Sequence, residues 1–233
     1  MNEEFLFVSP EEVARNQQRF IVKVYGWMAA ALAITGVVAM WTASSPEALA
    51  FIFANPGIVI GIMIAKLLMV GSLSIWVNKV SSTVASVIFV LYAVLTGFVF
   101  SSLFLIYTTG SLAATFFITG GLFAVMSLYG WFTGNDLTRF GSLLFMLLIG
   151  LIIASIVNIF MNSTMLYWIT TYLGVFVFTG LIAYDTQKIK NMAGDMEEGT
   201  EQHKKGAIVG ALNLYLDFVN LFLMLLRIFG SRR

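Results

Sequence analysis

Two aspartates, Asp185 and Asp217, stand where a membrane-spanning helix ordinarily carries no charge. Asp185 closes the apolar run 173–184, and Asp217 sits inside Asn213-Leu214-Tyr215-Leu216-Asp217-Phe218-Val219-Asn220-Leu221-Phe222. A charged carboxylate near the bilayer centre costs ~3 kcal/mol or more, so it is rarely kept without a partner or a water-filled cavity. On a helix Asn213, Asp217 and Asn220 share one face. Asp217 is then either a functional carboxylate or a structural contact tied down by the two asparagines and nearby hydroxyls.

Asp185 has a second reading of its own. It lies ~26 to 30 Å along a helix beginning near Met165 or Tyr167, where an interfacial, solvated charge is unremarkable; Asp217 lies ~16 Å into a helix beginning at Gly206. The two meet only if helix six runs on past Lys188 or helix seven begins deeper. If they meet, they titrate as a coupled pair sharing one proton, which makes them a candidate pH switch. Tyr184, Asn213 and Asn220 are the candidate polar support. Lys66, ~12 Å into the second span, is either a latch and counter-charge for the pair or a side chain that snorkels to water.

The elements that must position these groups follow from composition. Of 233 residues 59% are hydrophobic and 11% charged, against about a quarter charged in a soluble domain. The chain therefore reads as an integral membrane protein partnered by the lipid bilayer. A net charge of +1 leaves no basic face for nucleic acid. Cysteine is absent and the one histidine, His203, falls in a lysine-rich polar segment, so neither a His/Cys metal site nor a cofactor is expected. Glu3 and Glu4 stand where a signal peptide would be basic, and the first span reads as retained.

An N-terminal segment, 1–20, carries a helix start at Ser9, Pro10 and Glu12. Charge-free intervals then predict seven spans within 21–230, at 22–43, 57–77, 82–106, 111–132, 140–161, 165–187 and 207–229, with a polar loop at 188–205. In lipid these are helices, because a helix satisfies its own backbone groups. Basic residues at Arg15, Arg19, Lys23, Lys79, Arg139, Lys188, Lys190, Lys204 and Lys205 all fall on one side, which predicts a cytoplasmic N-terminus. Seven crossings put Arg232 and Arg233 on the other side, against that rule; the ~24 apolar residues of the last run favour a full crossing over a dip and return. The glycine pairs Gly57/Gly61 and Gly206/Gly210 offer close helix approaches.

The run Gly180-Leu181-Ile182-Ala183-Tyr184-Asp185-Thr186-Gln187-Lys188-Ile189, together with the run around Asp217, resembles the transmembrane Bax inhibitor motif family, the type that includes Bax inhibitor-one. Weaker likeness lies at Leu95-Thr96-Gly97-Phe98 and Gly134-Asn135-Asp136-Leu137-Thr138. The resemblance implies an all-α fold of seven transmembrane helices, the last central and wrapped by the other six. It implies that Asp185 and Asp217 are a proton sensor that gates a calcium leak, with a basic residue of the second helix, here Lys66, as latch. Calcium and protons are then the transported or sensed species.

Two carboxylates offer calcium only a weak, transient site, which suits permeation. The leading expectation is a pH-sensitive passive calcium leak in a bacterial inner membrane. The alternatives are a regulatory protein acting on a membrane-bound quality-control protease, as some bacterial relatives do, with Met1 to Val8 as its handle, or a proton-coupled solute transporter. An enzyme is not expected: two aspartates can form an acid–base dyad, but the resemblance points elsewhere.

Overall fold

The computed structural model describes residues 10–76, 79–194 and 196–233. Among these the chain is all-α. Its helices are α1 (Pro10–Ser44), α2 (Pro46–Phe53), α3 (Pro56–Trp76), α4 (Ser82–Phe100), α5 (Leu103–Ile106), α6 (Thr109–Phe132), α7 (Thr138–Met161), α8 (Thr164–Gly194) and α9 (Glu201–Phe229). Seven spans are long and apolar enough to cross a membrane, with α4 and α5 together making the third. Ser9 and the apolar segment 5–8 lie outside the described residues.

Hydroxyl caps set many of the helix starts. Ser45 accepts from the Ala48 amide, Ser81 from Val84, Thr108 from Ser111 and Thr200 from His203, each satisfying an N-terminal donor that has no partner within its helix. Asn162 ends α7 in the left-handed region at φ 48°, a conformation that asparagine tolerates better than most residues. The α4–α5 break falls at Ser101 and Ser102, whose hydroxyls donate back to the carbonyls of Phe98 and Val99.

The last helix is the axis of the bundle. In α9, 67% of the most apolar stretch is buried inside the protein, against 6% in α3 and 11% in α7. It packs directly on α1, α4, α6 and α8, while α3 leans on α4 and α7 on α8. Close approach requires glycine at several crossings, two of them beside the aspartate-bearing stretch of α8. A Cβ at Gly130 of α6 would collide with the backbone of Ala183, and one at Gly141 of α7 with the ring of Tyr184. The Gly206/Gly210 pair does pack, against Met196, Phe20, Ile189 and Val24, but Gly57 and Gly61 face open space and join no helices.

The connection expected at 188–205 shrinks to 195–200. Charged and polar side chains at Lys188, Lys190 and Asn191 lower the hydropathy there, yet the helical period continues: Ile182, Thr186, Ile189 and Ala193 are buried on one face of α8. Likewise His203, Gly206, Ala207 and Gly210 are buried on the first turns of α9, so His203 is not a polar-loop residue but packs edge-on against Phe20 at 4.9 Å. The helix start expected at Pro10 and Glu12 leads directly into the first span, because α1 is continuous from Pro10 to Ser44.

At its far end α9 runs through without reversal. The tail pairs with the α5–α6 turn: Thr108 donates to Ser231 O at 3.1 Å, Arg233 to Ile106 O at 3.0 Å, and Ser231 N to the Ser111 hydroxyl at 2.9 Å. The start of α9 lies at the opposite end, where Arg19 and Lys23 of α1 both reach Glu198 and Ser82 of α4 donates to Glu201.

Candidate functional site

The extension of α8 past Lys188 brings the two aspartates together. Asp185 and Asp217 are hydrogen-bonded to each other through their carboxyl groups. A hydrogen bond between two carboxyls needs a proton on one of them, so the pair carries at most one negative charge while the bond exists. Asp217 is only 6% exposed, and its Oδ2 is buried.

Both aspartates line a cavity of about 950 Å³ bounded by α3, α4, α7, α8 and α9. Asn213, Leu216, Asp217 and Asn220 form its floor on α9. Asn213 and Asn220 thus share the face expected of them, but Asn220 donates its amide to the Leu216 carbonyl at 2.8 Å and so braces its own helix. Tyr184 contributes its ring to the wall, seated over Gly141. Lys66 enters the same cavity from α3, with its ammonium 5.0 Å from the centre of the Tyr92 ring. It forms no ion pair with either carboxyl among the described residues.

Sequence reasoning missed two members of the cavity. Lys188, placed in a loop, is one helical turn beyond Asp185, lines the cavity and interacts electrostatically with that carboxyl. The three-residue spacing was the available signal once α8 is taken as continuous. Tyr92 had no signal, since it reaches Lys66 only because α4 packs beside α3.

A hydroxyl network locks the opposite side of α9. Thr35 and Tyr215 share a hydrogen bond of 2.6 Å, and Thr35 also donates to Ala93 O at 3.0 Å. Tyr25, Ser127 and Thr186 form a second chain, at 2.7 and 2.9 Å, joining α1, α6 and α8 just beside Asp185. Below the cavity, Gln187 accepts from Leu137 N and donates to Asn135 O, both at 2.8 Å, fastening the α6–α7 turn to α8.

Together these features define an integral membrane protein built on a central helix, with a carboxyl pair at the base of a cavity inside the bundle. The family model described as inhibitor of apoptosis-promoting Bax1 matches residues 17–233. The chain is 49% identical over 217 residues to the inner membrane protein YbhL of Escherichia coli K12, covering 93% of each chain. It is 45% identical over 217 residues to a protein of Borreliella burgdorferi, covering 93% of this chain and 94% of that one, and 31% identical over 236 residues to a membrane protein of Streptococcus pyogenes, covering 99% of each. The chain belongs to the Bax inhibitor-one family.

Proposed function

We propose that the protein is a passive, pH-sensitive cation leak in which Asp185 and Asp217 are both the proton sensor and the gate, with calcium as the permeating ion. The observation that carries this reading is the hydrogen-bonded carboxyl pair at the base of the cavity. A pair that shares a proton holds α8 and α9 together; loss of that proton replaces a hydrogen bond with repulsion between two anions and frees two carboxylates to meet a cation. Few carboxylates and much water make a weak site, which lets an ion leave as readily as it enters. The proposal needs no cofactor and no catalytic step. Lys66 and Lys188 supply the positive charge that limits cation entry. The N-terminus and the cavity mouth near Lys188 face the cytoplasm, as the one-sided distribution of basic residues favours. The membrane is an inner membrane, the location that the name of the Escherichia coli relative states for that protein.

The test is calcium flux into liposomes holding the purified protein, from pH 5 to 8, beside Asp185→Asn and Asp217→Asn proteins with unchanged thermal melts. The expected result is a flux that varies with pH in the parent and loses that dependence in both variants. Absence of flux at every pH would sink the leak. The regulatory reading would then move forward, tested by deleting Met1 to Val8, and so would proton-coupled transport of a small solute, tested by solute uptake under an imposed pH gradient.

A further inference from the structure

The charges that line the cavity do not cancel. Asp185 and Asp217, while they share a proton, carry at most one negative charge between them, and Lys188 lies one turn from Asp185 and interacts with it. Lys66 is the charge left over. Among the described residues its ammonium is in ion-pair range of no carboxylate and rests 5.0 Å from the centre of the Tyr92 ring. A ring face attracts an ammonium but leaves its charge uncancelled. An occupant that matches this cavity therefore brings one negative charge.

Depth and walls decide what kind of anion that is. Lys66 is the middle residue of α3 (Pro56–Trp76), ~15 Å from either end and so near the centre of a hydrocarbon layer ~30 Å thick. A lysine head snorkels to water from near a helix end, and Lys66 is far from both. Met63 and Leu67 on α3 and Phe145 and Ile152 on α7 line the cavity, yet each is more than half exposed on the outside of the bundle. Because α3 leans on α4 and α7 on α8, these two helices flank an opening toward the hydrocarbon. At about 950 Å³ the space is at the upper end of the ~300–1,000 Å³ range of ligand sites, far more than an inorganic anion fills. A phospholipid is also a poor match, because its phosphate is permanently charged and stays at the membrane surface. A long-chain carboxylic acid is neutral when protonated, so it reaches this depth through the hydrocarbon and ionises beside an ammonium.

We propose that the cavity binds a long-chain fatty acid, with its carboxylate on the Lys66 ammonium and its chain leaving between α3 and α7 past Phe145 and Ile152. The acid arrives protonated; its O–H bond breaks at Lys66, the electron pair stays on the carboxylate, and the proton leaves to water at the mouth beside Lys188. This uses the cavity of the proposed leak but does not depend on calcium passing through it.

The experiment is equilibrium binding of radiolabelled palmitate to the full-length protein in phosphatidylcholine nanodiscs, corrected for empty discs, with hexadecanol, acetate and phosphatidylglycerol as competitors. The parent is expected to hold one palmitate per chain. Hexadecanol, of the same length without the charge, should compete at least roughly tenfold less well, the effect of one charged hydrogen bond. Acetate and phosphatidylglycerol should not displace the label. Lys66→Met should weaken palmitate binding by about the same factor, and Lys66→Arg should keep it. Equal competition by hexadecanol would overturn the proposal, and so would unchanged affinity in a folded Lys66→Met protein. Displacement by acetate would make the site one for soluble anions, and displacement by phosphatidylglycerol one for lipid headgroups; either result overturns it.

A measurement on the parent alone guards against variants that do not fold. A palmitate carrying a photoreactive group along its chain should label peptides containing Leu67, Phe145 or Ile152. Labelling confined to outer positions such as Phe132 and Phe160 would overturn the site. Binding and flux are read separately: palmitate binding without flux keeps the fatty-acid site and removes the leak, and flux without palmitate binding does the opposite.

Discussion

α9 has two faces at the same depth, and they are built for different purposes. One face, with Asn213, Leu216, Asp217 and Asn220, floors the large cavity between α3 and α7 that also holds Lys66, Asp185 and Lys188. The other, with Phe218, Val219 and Phe222, lines an apolar space of about 320 Å³ against α1, α4, α5 and α6, where Thr35 and Thr109 are the only residues with a polar side chain. The charged face is covered by the two helices that are least buried, and the apolar face by helices that pack directly on the axis. A carboxylate is tolerated inside this bundle because its side of α9 has room for water or a ligand; the opposite side has no charge and only the hydroxyls of Thr35 and Thr109 in an otherwise apolar lining.

Moving the charge across the helix should therefore give the largest effect. Val219 is 7% exposed and lines the apolar space. Val219→Asp should cost ~3 kcal/mol or more, enough to abolish a folded, monodisperse protein. Leu216→Asp, on the cavity side of the same helix, should fold. Thermal melts of both in detergent check the pair, and equal tolerance of the two substitutions would break the comparison.

The closed face should yield more moderately where its hydroxyls are trimmed. Tyr215 is fully buried and shares its hydrogen bond with Thr35 between α1, α4 and α9. Tyr215→Phe keeps the ring contacts with Phe89 and Tyr92 and leaves Thr35 its bond to Ala93 O. The loss should be about 1 kcal/mol, with the pH dependence of flux unchanged. A large change in that dependence would mean that the hydroxyl network, and not the carboxyl pair alone, carries the proton response.

The two faces were unequally legible in the sequence. Asp185 and Asp217 announced themselves, since a carboxylate in an apolar run is conspicuous at any register. The seven spans were legible for the same reason, as intervals without charge. The 188–205 segment was misread because hydropathy registers the charges at Lys188 and Lys190 but not the buried period of Thr186, Ile189 and Ala193 that carries α8 onward. The meeting of the aspartates stays conditional in the sequence for the same reason, because it depends on how far α8 extends. The seat of Lys66 on Tyr92 and the openness of the cavity depend on how α3, α4 and α7 lie side by side, and a single sequence holds no record of lateral placement.

The smallest effect belongs to the solvent-exposed clasp that joins the two halves. Arg19 and Lys23 on α1 reach Glu198 at 3.0 and 3.5 Å, tying the α8–α9 turn to the closed side of the bundle. The hydrogen bond from Arg19, with the positive charges of Arg19 and Lys23, holds the Glu198 carboxyl below its ordinary 4.5. A carboxylate with a depressed folded value contributes stability that is fully present above the unfolded value and is lost as pH falls through the folded one. The parent should therefore lose a small increment of thermal stability on acidification below about 4.5, and Glu198→Gln should lack that increment at pH 7 and match the parent once the carboxyl is protonated. Salt at 1 M should shrink the difference at pH 7, because exposed pairs are screened. If Glu198→Gln instead altered the pH dependence of flux between 5 and 8, the clasp would belong to the gate, and the division between a working face and a closed one would have to include the turn that joins α8 to α9.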